Sequence, residues 1–385
     1  MPGNRVLGVL LALGGGALGL LPFISVAPNR LVSGQPVMLA ALAGEDGWLA
    51  APLLVPLVGL LCCALVAPRR PVLVATLLGW LLLFSGALWG LGEAATRQGA
   101  ISGLVARIAP GSGLWLLLAC SLLGATDTVN RLTGRPLWRI LLNLPIWLLP
   151  LAMLASGHFA ATSLLREYDN RADVFHDALV QHLLFLPGTL LPALVIALPL
   201  GWLCHRSPRA RRGVLPILNI IQTVPSVALF GLLIAPLTSL VGYFPWLGRW
   251  GVSGIGTAPA LIALVLYALM PLVRGVVSGL GSVPGAVKES ARGMGMSTVQ
   301  LAWQVEIPLA LPVLLRSLRV VAVQTVGLAV VAALIGAGGL GALVFQGLLS
   351  SALDLVLLGV IPTVALAVVV DAGFTLLLAL LEERI

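Results

Sequence analysis

The sequence predicts an all-α integral membrane protein of about ten transmembrane helices, and three observations lead there. Of the 385 residues, 59% are hydrophobic and only 9% charged, with a mean hydropathy of +1.08. A soluble fold has no core large enough to hide that composition. Apolar runs of roughly 20 residues, the length that crosses a hydrocarbon layer about 30 Å thick, recur from Val6 to the C-terminal end. The alternating pattern of a membrane β-barrel is absent, which leaves helices as the spanning element.

The spans are expected at 6–27, 48–67, 71–92, 111–127, 138–157, 179–204, 213–236, 257–276, 314–336 and 355–381. The first run follows Arg5, contains Pro22 and lacks a small-x-small cleavage site, so it reads as a retained span rather than a leader. Placing both termini in the cytoplasm leaves only Arg30, Arg97, Arg107, Arg166, Arg171 and Arg249 of the 22 basic residues outside. The remainder, Arg384 among them, fall inside, as cytoplasmic loops rich in Lys and Arg require. Trp48, Trp89, Trp115, Trp138 and Trp202 lie near span ends, where an indole keeps its N–H hydrated, whereas Trp80 and Trp147 are mid-span and read as packing.

A net charge of +8 raises nucleic acid as a partner, but the basic residues are scattered between apolar runs and report orientation in lipid instead. Cys62, Cys63, Cys120 and Cys204 form no C-x-x-C pair and read as buried apolar packing. His158, His176, His182 and His205 stand at or beyond span ends with no ligand spacing, so no metal site is expected.

The polar stretch 160–179 divides the chain into a membrane region of about five helices, residues 1–170, and a second membrane domain, residues 176–381. The second contains the longest inside segment, within 282–312. Ser282 and Pro284 can open a first short helix. Gly293 and Gly295 end it, and Ser297 with Gln300 forms a capping-box pattern that starts another. Pro308 and Pro312 then re-aim the chain into the membrane. A short amphipathic helix projecting Met294 and Met296 suits docking into a groove of a partner.

Glu289-Ser290-Ala291, Gly295 after three residues and Val305-Glu-Ile307-Pro308 after nine more resemble the E-A-A-x-x-x-G-x9-I-x-L-P signature of ABC importer permeases. Ser290, Val305 and Ile307 depart from it while conserving size. Asn-Ile-Ile-Gln-Thr-Val-Pro-Ser at 219–226, Ala-Arg-Gly-Met-Gly-Met at 291–296, Pro-Leu-Ala-Leu-Pro at 308–312 and Ile-Gly-Ala-Gly-Gly-Leu-Gly at 335–341 are similar to glycine betaine, choline and related osmoprotectant permeases. Five further spans and the stretch 21–34 resemble the YehY type.

The resemblance implies a type I ABC importer permease bundle whose coupling helix, with Met296 in its surround, seats in an ATPase subunit. It implies a second, identical or homologous permease subunit, an external substrate-binding protein and the bacterial inner membrane. ATP and magnesium belong to the ATPase, with no cofactor, metal or catalytic residue in this chain. The implied solute is glycine betaine or a related quaternary ammonium compound; another small polar solute such as an amino acid stays open.

The only lysine, Lys288, precedes Glu289 rather than Ser or Thr, so no P-loop is present. Gly336, Gly338 and Gly341 satisfy G-x-G-x-x-G but follow a membrane helix rather than a strand. Gly338 and Gly339 therefore read either as a gate near the solute path or as a structural turn. Gln222, Thr223, Pro225, Ser226, Gln324 and Thr325 either line that path or bond between helices. Asp371, costly in a span, is either a path residue or an ion-pair partner. It also underlies the competing reading of an ion-gradient-driven carrier with broken helices at Pro225 and Pro271.

Overall fold

The computed structural model describes residues 5–29, 32–45, 47–103 and 106–382, so Arg30 and Arg384 lie outside the described residues. The chain divides into two compact units, Met1–Asn170 and Arg171–Ile385.

The first unit runs α1 (Arg5–Leu20), β1 (Ile24–Ala27), β2 (Gln35–Val37), α2 (Leu39–Glu45), α3 (Ala51–Leu65), α4 (Arg70–Ser102), β3 (Arg107–Pro110), α5 (Ser112–Leu132), α6 (Pro136–Ala155) and α7 (Ser163–Asp169). Helix α4 opens with Pro71 in its first turn and closes at Gly103, whose φ of +86° suits glycine. It outlasts its apolar run, carrying Glu93 and Arg97 as an ion pair at 2.7 Å, one turn apart. Trp80, 1% exposed, packs against α5 at Gly124. A Cβ on Gly124 would stand 2.2 Å from the indole, so only glycine admits that approach.

Three short antiparallel strands, in the order β2-β1-β3, were not expected from the sequence. The predicted span 6–27 is cut short because Pro22 disfavours helix at Leu21. Phe23 then turns into β1, and Gly111 N–H donates to Phe23 O at 2.9 Å. Helix α7 covers the outer edge of β3: Ser163 Oγ donates to Ile108 O and Arg166 to Ala106 O, both at 2.9 Å. Arg107 meets the buried Glu167 carboxylate at 3.2 Å. Carbonyls of that edge taken up by side chains are withdrawn from pairing with another chain.

The second unit comprises α8 (Ala172–Arg206), α9 (Pro208–Thr223), α10 (Ser226–Tyr243), α11 (Trp246–Arg249), α12 (Thr257–Gly281), α13 (Gly285–Gly293), α14 (Thr298–Leu301), α15 (Ile307–Ala332), α16 (Leu340–Leu349) and α17 (Leu353–Glu382). Its central helix is α12, which packs on α8 and α15 and buries Leu264, Met270, Leu272 and Val273. Small residues set the spacing: a Cβ at Gly201 would meet Val276 at 2.6 Å, and one at Gly275 would meet Ser317 Oγ at 2.2 Å. Arg319 of α15 and Asp371 of α17 form a two-pronged ion pair at 2.5 and 2.6 Å.

Among the described residues, eight helical stretches are long and apolar enough to cross a membrane: α4, α5, α6, α8, α10, α12, Thr298–Ile335 and α17. The predicted spans 6–27 and 48–67 are shorter helices, α1 and α3, and α16 is a third short apolar helix. The predicted span 213–236 is two helices, α9 and α10, separated at Val224 and Pro225. Trp147 is 39% exposed and Cys62 is exposed, against the packing expected for both. Cys120 and Cys204 are buried.

Substituting Gly124→Ala forces Trp80 or the α4–α5 spacing to move, with an expected stability loss of about 1–3 kcal/mol. Thermal unfolding of the purified protein in detergent measures it.

Candidate functional site

Helix α12 ends at Ser282, whose N–H donates to Ser278 O at 2.9 Å and whose Oγ donates to Gly279 O at 2.7 Å. Ser282 therefore closes α12, and the extended Pro284, not Ser282, occupies the capping position of α13. At the far end Gly295 takes φ +82°, and Met296 N–H reaches back to Ala291 O at 3.2 Å. This left-handed stop requires glycine. Ser297 Oγ accepts from Gln300 N–H at 3.3 Å, and Gln300 Oε1 accepts from Ser297 N–H at 2.8 Å, completing the reciprocal cap.

The segment after that cap differs from expectation. The predicted second short helix does not stand alone: α14 passes through a π-helical turn, Ala302–Glu306, directly into α15. Pro308 falls in the first turn of α15, where a missing N–H costs little. Pro312 lies inside the helix without ending it. The loop is pinned by Lys288, whose ammonium meets Glu306 Oε1 at 3.1 Å and donates to Leu280 O at 3.2 Å. Both partners are largely buried, so the pair is shielded from screening by salt.

Of the signature residues, Ala291 is buried against this scaffold, and its small side chain fits there. Glu289, Ser290, Gly295 and Pro308 are exposed, and Met296, Val305 and Ile307 are half-buried. Met294, Val299 and Trp303 stand 72%, 67% and 69% exposed, so the loop displays large apolar side chains. Such a surface is suited to docking another protein.

The break between α9 and α10 builds a cavity of about 540 Å³. Pro225 biases Val224 away from helix, and Val224 is extended with ψ 128°. Its carbonyl accepts from Tyr267 Oη at 2.5 Å, and Gln222 Nε2 donates to Tyr267 O at 3.2 Å. Gln222, Thr223, Pro225 and Ser226 line one side, while Tyr267 and Pro271 of α12 and Gln324 and Leu328 of α15 line the other. The lining carries amide, hydroxyl and carbonyl groups but no formal charge.

Gln222, Thr223, Pro225, Ser226 and Gln324 thus come together. Thr325 does not join them: it is buried and donates to Val321 O at 2.8 Å. Asp371 is held by Arg319 and does not line the cavity. Gly338 and Gly339 lie in the turn between α15 and α16, where Gly336, Gly338 and Gly339 have φ of +77°, +79° and +72°. That turn is tethered twice, by Gly256 N–H to Ile335 O at 2.8 Å and by Gly339 N–H to Gln181 Oε1 at 3.0 Å.

His182, expected at a span end, is instead 1% exposed within α8, its Nε2–H donating to Val326 O at 3.1 Å. Sequence reading missed Tyr267, Lys288 and the Gln181-His182 pair as organising residues. A hydroxyl, an ammonium and two adjacent polar side chains in or beside apolar helices were the available signals.

Comparison with known proteins follows the same division of the chain. Residues 4–165 match the family model of the ABC transporter permease YehY N-terminal domain. Residues 193–385 match that of the binding-protein-dependent transport system inner membrane component. The osmoprotectant import permease protein OsmW of Salmonella typhimurium is 39% identical over 191 residues, 50% of this chain and 84% of the relative. The carnitine transport permease protein OpuCB of Listeria monocytogenes is 39% identical over 199 residues, 51% and 84% of the two chains. A Bacillus subtilis glycine betaine/carnitine/choline transport system permease protein, OpuCD, is 33% identical over 194 residues, 50% and 77%. A chain of the inward-facing MetNI methionine ABC transporter shares the fold with a TM-score of 0.50 at 22% identity, covering 55% of this chain and 98% of its own.

Replacing Lys288→Met strands the Glu306 carboxylate in a largely buried position and is expected to lower stability by about 1–3 kcal/mol. The double variant Lys288→Met, Glu306→Met removes both charges and is expected to recover most of the loss in the same thermal unfolding assay.

Proposed function

The chain belongs to the binding-protein-dependent transport system inner membrane components, and from that premise we propose that it is the permease subunit of an ATP-dependent importer of glycine betaine or a related quaternary ammonium osmoprotectant. One observation carries the mechanism. The exposed loop formed by α13, Gly295 and the Ser297 cap continues without a break into α15, and α15 carries Gln324 into the cavity.

In this reading an ATPase subunit, which holds the ATP and magnesium, receives Glu289, Ser290, Gly295, Met296 and the apolar side chains beside them. Closure of two ATPases draws two such loops together, one from this chain and one from a second permease subunit. The rigid joint through Lys288 and Glu306 passes that displacement to α12 and α15, which rock between inward and outward access. An external binding protein delivers the solute, and the protein resides in the bacterial inner membrane.

The uncharged cavity at the α9–α10 break suits a solute whose charges cancel, since no fixed charge in its lining has to be neutralised on entry or exit. Tyr267 is the aromatic residue of the lining, and an aromatic ring is the side chain that attracts a quaternary ammonium group. In this reading ATP hydrolysis falls to the separate ATPase subunit, and the one lysine of this chain serves the joint, bound to Glu306 and Leu280 O. The carrier alternative loses its main support because the Asp371 carboxylate is bound by Arg319.

Reconstitution in proteoliposomes with the cognate ATPase and binding protein tests the assignment. Gly295→Val, which forces a branched side chain to φ +82°, and Glu289→Arg are each expected to reduce ATP-driven uptake of labelled glycine betaine by about tenfold or more at equal membrane abundance. Unimpaired uptake in both variants overturns the docking assignment.

A further inference from the structure

We propose that Gln181 and His182 are positioning residues that give the turn between α15 and α16 two alternative seats on α8, exchanged by handing the Gly339 amide from one side chain to the other. The chemistry of His182 leads to this. A carbonyl only accepts, so the bond to Val326 O places the ring hydrogen on Nε2. In the neutral ring Nδ1 is then an acceptor. That nitrogen is buried and has no hydrogen-bond partner, an arrangement uncommon enough to require a reason.

The reason lies within reach of the ring. A Cβ placed on Gly339 would stand 3.2 Å from His182 Nδ1, so the backbone of this residue already borders the vacant acceptor. The one donor that Gly339 possesses, its N–H, is engaged by Gln181 Oε1 at 3.0 Å. Two acceptors on consecutive residues therefore flank a single donor. Gly336, Gly338 and Gly339 all hold positive φ and carry no side chain, so the turn can re-aim this amide without moving bulk.

The exchange has a mechanical outcome. Gly339 is the residue from which α16 starts, and α16 packs along α17, where a Cβ on Gly359 would stand 2.7 Å from Leu340 O. Gly256 N–H holds Ile335 O at the other end of the turn, so the turn pivots rather than drifts. In the Gln181 seat the start of α16 is held as seen here; in the His182 seat it is displaced toward the ring. The transport role of this exchange rests on the permease reading above, whereas the exchange itself does not.

The test uses the full chain in lipid nanodiscs, labelled with nitrogen-15 at its four histidines. The His182 signals are assigned by their loss in His182→Gln. In the unaltered protein Nδ1 is expected at the position of a free acceptor. In Gln181→Leu it shifts to that of a hydrogen-bonded acceptor, and Gln181→Glu, which keeps the carbonyl-like oxygen, leaves it unshifted. An Nδ1 signal that does not move in Gln181→Leu overturns the two-seat proposal.

A second arm measures solute imported per ATP hydrolysed in the reconstituted assembly. Gln181→Leu and His182→Gln are each expected to lower that ratio about threefold or more while ATP turnover persists, with Gln181→Glu close to the unaltered protein. A ratio unchanged in both overturns the positioning role. If the unaltered assembly imports nothing on ATP, the permease reading falls, and the histidine spectrum still decides the exchange.

Discussion

Hydrocarbon contains no water to take up a free amide or carbonyl, so every interruption of a helix at membrane depth has to be satisfied by the protein itself. This constraint organises the second unit. Where α9 stops, Tyr267 Oη supplies the Val224 carbonyl with a donor. Where α15 stops, Gly256 and Gln181 take up a carbonyl and an amide of the turn that follows. The interruptions are also the places where polar groups collect, because a residue able to satisfy a broken backbone is equally able to meet a solute.

Two helices carry the consequences from one end of the unit to the other. Helix α12 presents Tyr267 to the cavity and ends at Ser282, fifteen residues and about 22 Å further along its axis, beside the exposed loop. Helix α15 begins beside Glu306 and carries Gln324 to the same cavity. Gly275 against Ser317 and Gly279 against Ala310 keep the two in backbone-close contact. Helices fitted this closely shift together or not at all, so the loop and the cavity act as ends of one body.

The helical class, the exposed loop and five of the cavity residues were legible because each has a local signature: hydrophobic run length, a cap and glycine spacing, and polar residues around a proline. The short strands were not, since β1 to β3 are three or four residues each and one was hidden inside the apolar run 6–27. The fate of Asp371 was equally illegible, because its partner Arg319 lies 52 residues away and was counted only among the basic residues on the inside. His182 was misplaced for the complementary reason. Its neighbourhood is made by α15 and the turn after it, far along the chain, and no local pattern announces burial by a distant segment.

The π turn at Ala302–Glu306 holds one residue more than an α-helical turn would, and such single-residue insertions are found mostly at functional positions. Each helical residue advances the chain by about 100° of rotation. The wide turn absorbs its extra residue, so forcing the same residues into regular α-helical geometry would turn Val299 and the cap at Ser297 by about 100°, more than a quarter of a circle, relative to the membrane helix. The wide turn thereby sets the phase of the exposed loop, so the conformation of this joint, as much as its side chains, decides which way Val299 and the Ser297 cap face.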